Sequence, residues 1–83
     1  MLLNIYSLRK PVFRKDAESV NLKTVTGEIT ILNNHRPLIA PLAPRAIRIL
    51  DKQGKEHVIE ATGGFVEIRP NPQSGGEVNI LVN

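Results

Sequence analysis

No window of a dozen residues in this chain keeps a helical stripe of apolar side chains clear of glycine or proline, whereas several short runs alternate polar and apolar at every second position. Ser19-Val20-Asn21-Leu22-Lys23, Arg45-Ala46-Ile47-Arg48-Ile49 and Glu77-Val78-Asn79-Ile80 each send alternate side chains to opposite faces of a pleat, the pattern of a half-buried strand. Val, Ile and Thr number twenty against five Ala, and branching at Cβ suits a pleated surface better than a helix. The periodicity predicts strands over residues 2–8, 16–24, 28–32, 38–42, 46–50, 57–61, 65–69 and 77–82, with a short extra strand near Val12-Phe13. Asp51-Lys52-Gln53-Gly54-Lys55 reads as a hairpin turn with Gly54 in the left-handed position, and Pro70-Asn71-Pro72-Gln73-Ser74-Gly75-Gly76 as a longer hairpin loop. Turns at such regular spacing imply an all-β antiparallel sandwich or flattened barrel.

The 83 residues make one domain, residues 1–83, without linker, repeat or low-complexity segment. A domain of this size buries only about 60–65% of its unfolded surface, which allows one core and no deep cavity between lobes. Function therefore belongs on the surface. The net charge of +3 and pI near 9.7 raise nucleic acid or an anionic membrane as partners. However, apart from Arg9-Lys10 and Arg14-Lys15 the charges of both signs are spread along the chain, with no block resembling a nucleic-acid arm. Absence of cysteine excludes disulfides and thiolate metal sites and fits a cytoplasmic setting. The first residues lack the basic leader and long apolar core of a signal peptide, and no apolar run approaches bilayer length, so membrane association is expected only through a partner.

Catalytic constellations are poor. Ser7, Ser19 and Ser74 are the only serines and none sits in a nucleophile elbow; Asp16 and Glu18 share a strand face as solvated charges; Gly63-Gly64 lacks the lysine and following helix of a phosphate loop. His35 and His57 have neither cysteine nor a tight carboxylate cluster for a metal site. No cofactor is expected. Tyr6, Phe13 and Phe65 fall among apolar neighbours and are expected to pack in the core rather than stack on bases. The segment from Thr26 to Leu42 concentrates the recognition chemistry: a strand entered by Glu28, the Asn33-Asn34 break, then His35-Arg36 and a second apolar strand after Pro37. On residues alone, Glu28 is a carboxylate for a partner's cation or a solvated strand charge, and His35 is an interface contact or a turn histidine held by local hydrogen bonds.

Gly27-Glu28-Ile29-Thr30-Ile31-Leu32, then His35, Pro37-Leu38-Ile39, Leu42, Arg48-Ile49, Gly63-Gly64-Phe65-Val66-Glu67-Ile68 and Val78-Asn79-Ile80-Leu81-Val82 resemble, in order and spacing, the epsilon subunit of F-type rotary ATP synthases. The resemblance implies the family's N-terminal domain, a sandwich of about ten short strands at the foot of the central stalk. It implies a non-catalytic subunit that clamps the gamma subunit to the c ring and couples ion translocation to ATP synthesis. Its place would be peripheral, on the cytoplasmic side of the inner or plasma membrane, held there by the complex. By motif position, Glu28 and His35 would face the c ring, and Ser7, His35 and Ala40 would lie near gamma. Family members commonly carry Pro-Gly at Asn33-Asn34 and Gly at Arg45; Asn tolerates positive φ, whereas Arg45 would be strained if glycine is there for that reason. The family normally continues into a two-helix C-terminal domain implicated in restraining ATP hydrolysis, which these 83 residues do not contain, so that restraint is not expected of them. The rival reading is a small basic β-barrel that binds RNA or DNA, and a weaker one is a small enzyme.

Overall fold

The computed structural model describes residues 1–7 and 11–83. Eight strands follow in chain order: β1 Leu2–Ser7, β2 Pro11–Thr24, β3 Gly27–Ile31, β4 Leu38–Pro41, β5 Ile47–Asp51, β6 Glu56–Ile59, β7 Gly64–Arg69 and β8 Glu77–Val82. Hydrogen bonding runs β4-β7-β8-β1-β2-β5-β6, with β3 also on β2. The N-terminal half of β2 pairs with β1 and its C-terminal half with β3 and β5, so this one strand belongs to both layers of the sandwich. The expected strands are found within a residue or two, except that residues 16–24 and the extra strand near Val12-Phe13 are a single 14-residue strand. The count is thus eight among the described residues rather than about ten, and Leu8, expected in β1, lies outside them along with Arg9-Lys10. One ladder departs from the expected antiparallel order: β8 lies between β7 and β1 and runs parallel to β1, from Leu2 opposite Glu77 to Ser7 opposite Val82.

Alternation decides the core. Leu3 and Ile5 of β1, Val66 and Ile68 of β7 and Val78, Ile80 and Val82 of β8 meet Val20 and Leu22 of β2, Ile31 of β3 and Ile47 and Ile49 of β5 in one buried cluster. Met1, Ala17, Ala40, Leu42 and Ala61 close its margins. Along β2 the buried positions run Ala17, Val20, Leu22, Thr24; the odd step from Ala17 to Val20 coincides with a register shift against β5 between Ala17 and Ser19. A bulge of this kind bends a strand, and here it carries β2 from one layer into the other.

Turn chemistry fits. Gly54 has φ +83° and Asn34 +63°, as left-handed turn positions require. Arg45 is not among the positive-φ residues, so the backbone strain expected there is absent. Asp51 anchors the β5–β6 turn although it is 1% exposed. Its Oδ1 accepts the N–H groups of Gln53 and Lys55, both at 2.9 Å, and its Oδ2 accepts from His57 Nε2 at 2.9 Å with Lys15 Nζ at 3.6 Å. The His57 bond first, then the Lys55 N–H, hold this carboxyl far below the usual carboxylate range.

Candidate interaction site

The two outer faces of the sandwich differ in chemistry. On the β3-β2-β5-β6 layer, Glu28 enters β3 directly opposite Lys23 of β2. Its Oε2 accepts from Asn21 Nδ2 at 2.9 Å and Arg45 Nη2 at 3.2 Å, and the same Arg45 nitrogen donates to Asn21 Oδ1. Asn21 also reaches Thr30 Oγ1 at 3.0 Å. Arg45 comes from the segment between β4 and β5 and crosses over Asn21 to reach β3, so the three residues tie three parts of the chain together. The hydrogen bonds from Arg45 and then Asn21 keep the Glu28 carboxyl below its usual range, and the nearby Arg45 charge adds to them. Glu28, Asn21, Arg45, Ala46 and Arg48 line an open depression of about 430 Å³, and Arg48 Nη1 lies 3.6 Å from Glu56 Oε1 on its rim.

His35 sits beyond the opposite end of β3 from Glu28. Its N–H donates to Leu32 O at 3.2 Å and its Nδ1 to Arg36 O at 2.8 Å, so the ring is held by its own loop. Asn34 N donates to Gly75 O at 2.7 Å, which ties this turn to the β7–β8 loop. Glu28 and His35 therefore lie apart and do not line one pocket. Among the described residues no group of three or more His, Cys, Asp or Glu is placed to hold a metal ion.

The other layer, β4-β7-β8-β1, carries a row that sequence reading misplaced. Register sets Pro41 opposite Phe65, Phe65 opposite Leu81, Leu81 opposite Tyr6 and Tyr6 opposite Pro11. All five are exposed, Phe65 by 55%, and Ile39, next outward residue along β4, by 73%. Tyr6 and Phe65 thus stand outside the core expected for them, while Phe13 packs against it edge-on to His57, ring centroids 5.1 Å apart. Parity held the signal: Phe65 is out of phase with buried Val66 and Ile68, and Tyr6 with Leu3 and Ile5. Ser7 follows Tyr6 at this end of β1, paired with Val82. Ala40 faces inward and is 9% exposed, so the side chains presented outward at this edge are those of Ile39 and Pro41. Arg45 was missed as a site residue, being read only as a break in loop geometry.

Residues 1–83 match the model of the ATP synthase delta/epsilon chain β-sandwich domain. The chain is similar to the ATP synthase epsilon chain of Bacillus pumilus (strain SAFR-032), 40% identical over 82% of this chain and 51% of that one. It is likewise similar to that of Bacillus subtilis (strain 168), 39% identical over 83% and 52% respectively. It spans about half the length of these relatives. In fold it resembles a chain of the cryo-EM structure of the Euglena gracilis mitochondrial ATP synthase OSCP/F1/c-ring, with TM-score 0.87 and 20% identity over 99% of this chain and 49% of that one. The central stalk/c-ring structure of the Tetrahymena thermophila mitochondrial ATP synthase holds a second such chain, with TM-score 0.73 and 19% identity over 98% and 63%. With a match across its whole length and a sandwich built in the register described, the chain belongs to the family of ATP synthase delta/epsilon-chain β-sandwich domains.

Proposed function

We propose that this domain acts as a non-catalytic clamp in the central stalk of a rotary F-type ATP synthase, joining the gamma subunit to the c ring so that torque from ion translocation reaches the catalytic head. The observation that carries the reading is the row Pro41-Phe65-Leu81-Tyr6-Pro11, a continuous apolar strip across a rigid sheet, on a molecule whose other outer face sets Leu50 and Val58 among charged side chains. An exposed apolar strip is what a protein partner covers, whereas exposed charge fixes register and encounter more than affinity. The apolar face, with Ser7 at its end and the Ile39-Ala40-Pro41 backbone at its edge, meets gamma; Glu28 meets a cationic loop of the c ring; the His35 loop reaches both. That similar chains occur in ATP synthase central-stalk and c-ring structures supports the stalk reading. No described helix is long and apolar enough to cross a membrane, and the domain reaches the cytoplasmic side of the membrane through the complex. The nucleic-acid reading is weaker, because Arg45, Arg48 and Arg69 are paired with Glu28, Glu56 and Glu67, and Tyr6 and Phe65 stand in an apolar row rather than among cations.

The test is binding of the domain to purified gamma and to detergent-solubilised c rings. Phe65→Lys is expected to weaken gamma at least about ten-fold, as loss of a central aromatic contact does, and to spare the c ring. Glu28→Arg is expected to do the reverse. Equal loss toward both partners with either variant, or no binding of gamma by the unaltered domain, overturns the reading.

A further inference from the structure

We infer that Arg45 is an internal competitor for Glu28: it occupies the docking carboxylate in the free domain and must let it go when a partner's cation arrives. The inference rests on the proposed role of Glu28 at the c ring. Its warrant is the geometry of the charged depression. Glu28 Oε2 is shared by Arg45 Nη2 and Asn21 Nδ2, while Arg45 is additionally held by Asn21 Oδ1, so the guanidinium is positioned from both sides over the carboxylate. The pair is open to water, with Arg45 side chain 34% and Glu28 side chain 57% exposed, so a cation from outside reaches the same oxygens without any movement of the core. Arg45 leaves from a connecting segment rather than from a strand, which makes the exchange local.

The electrostatics of the surroundings favour a competitor over a lone docking charge. The groups facing Glu28 are Lys23 across the β2–β3 ladder, Arg45 above Asn21, and Arg48 on the rim, itself near Glu56. A cation approaching Glu28 therefore meets three positive charges against two negative ones, and gains only the difference between its own contact with the carboxylate and the one Arg45 gives up. Exposed pairs are individually weak, so the exchange is close to balanced and readily reversible. A balanced exchange suits a contact whose task is register: it marks where the ring docks, while the holding force of the clamp comes from the rest of the interface. Once displaced, Arg45 has free donors beside the partner's cation, and the partner chemistry that fits is a loop carrying a basic and an acidic side chain next to one another, each pairing with one half of the opened bridge.

The experiment measures c-ring binding by wild type, Arg45→Ala, Arg45→Lys, Glu28→Gln and the double variant Glu28→Gln/Arg45→Ala across a salt series, with thermal midpoints as the folding control. Arg45→Ala is expected to bind about two- to five-fold more tightly at low salt. The gain should vanish above about 0.5 M salt, where the screening length is about 4 Å. Arg45→Lys, which keeps the charge on a shorter side chain ending in a more strongly hydrated ammonium, should fall between wild type and Arg45→Ala. The double variant should bind like Glu28→Gln alone, because a competitor matters only while its target is present. In the free domain, carbon-detected NMR titration should find the Glu28 carboxyl protonating at higher pH in Arg45→Ala than in wild type; no difference would mean that the bridge is not made in solution and would overturn the competition. If Glu28→Gln weakens c-ring binding while Arg45→Ala weakens it or leaves it alone, competition is overturned and the docking role of Glu28 stands. If Glu28→Gln has no effect on binding, that docking role fails and the inference fails with it.

Discussion

Asp51 is a residue whose importance is invisible until its neighbours are known. In the sequence it opens a turn, and both the turn and the left-handed Gly54 were legible because Asp and Gly have one dominant use in such a string. Its burial was not, since that depends on Lys15 from another strand and His57 six residues on. A buried carboxylate with four donors around it is stabilising only as a complete set, and removing it leaves two backbone N–H groups and an imidazole unsatisfied. Asp51→Ala should therefore lower the thermal midpoint by about 10 °C or more, measured by circular dichroism. Because folding depresses the pKa of this carboxyl below its usual 3.8, the folded state holds the proton less readily than the unfolded one. Its contribution is thus complete above that value and is lost as pH falls below it. Urea midpoints between pH 7 and pH 3 should decline less steeply in Asp51→Asn than in wild type; parallel declines would show that other carboxylates dominate. Arg45 teaches the complementary lesson, for its backbone raised a doubt that its φ dispels while its side chain supplied the unforeseen contact.

At the scale of elements, most strands were readable because period two over four to six residues leaves few alternatives, and Glu77–Val82 was placed to the residue. Strand β2 was not, for two physical reasons. Arg14-Lys15-Asp16 interrupts the apolar alternation where the strand is exposed on both sides, and the bulge at Ala17–Ser19 reverses its parity. The charged run reads as a boundary at residue 16 while the backbone carries on, and the expected strand over residues 16–24 crossed the bulge without its change of parity being visible. The parallel β1–β8 ladder was equally hidden, since alternation tells which face a residue takes and nothing about which strand it will lie beside. The β6–β7 connection offers a sharp test. At Gly64, φ is +131° and a Cβ would stand 1.8 Å from Leu81 O, against the backbone of β8. At Gly54, φ is +83° with nothing within 4 Å. Gly64→Ala should cost more than about 3 kcal/mol and Gly54→Ala about 1 kcal/mol in chemical denaturation. Similar losses at both would mean that backbone angle, and not the close approach of two strands, governs this corner.

Across the whole molecule, measuring 30 × 24 × 21 Å, the same residue type has opposite value on the two sides of one sheet. Ile80 is fully buried and Ile39 is 73% exposed. Ile80→Ala should cost about 3 kcal/mol, whereas Ile39→Ala should move the denaturation midpoint hardly at all. A large loss at Ile39 would show that the apolar strip serves the domain itself rather than a partner. The chemistry of the two faces was half legible: the charged segment around Glu28 announced itself, but the strip from Pro41 to Pro11 is drawn from five strands and exists only once their register is known. The parallel β1–β8 ladder has a further consequence, in the order of events during synthesis. Asn4 reaches Asn79, 75 residues later, with Nδ2 3.0 Å from Oδ1. Contacts so distant along the chain are slow to form because a long loop must close first. The last strand is also the keystone of its layer, lying between two strands made earlier. While the chain is still emerging from the ribosome, β1 and β7 must wait with bare hydrogen-bonding edges, the state most prone to capture by another copy or a chaperone. Ribosome-stalled chains released before Glu77 should accordingly be protease-sensitive along their whole length, and those released after Val82 should be resistant, with little protection in between.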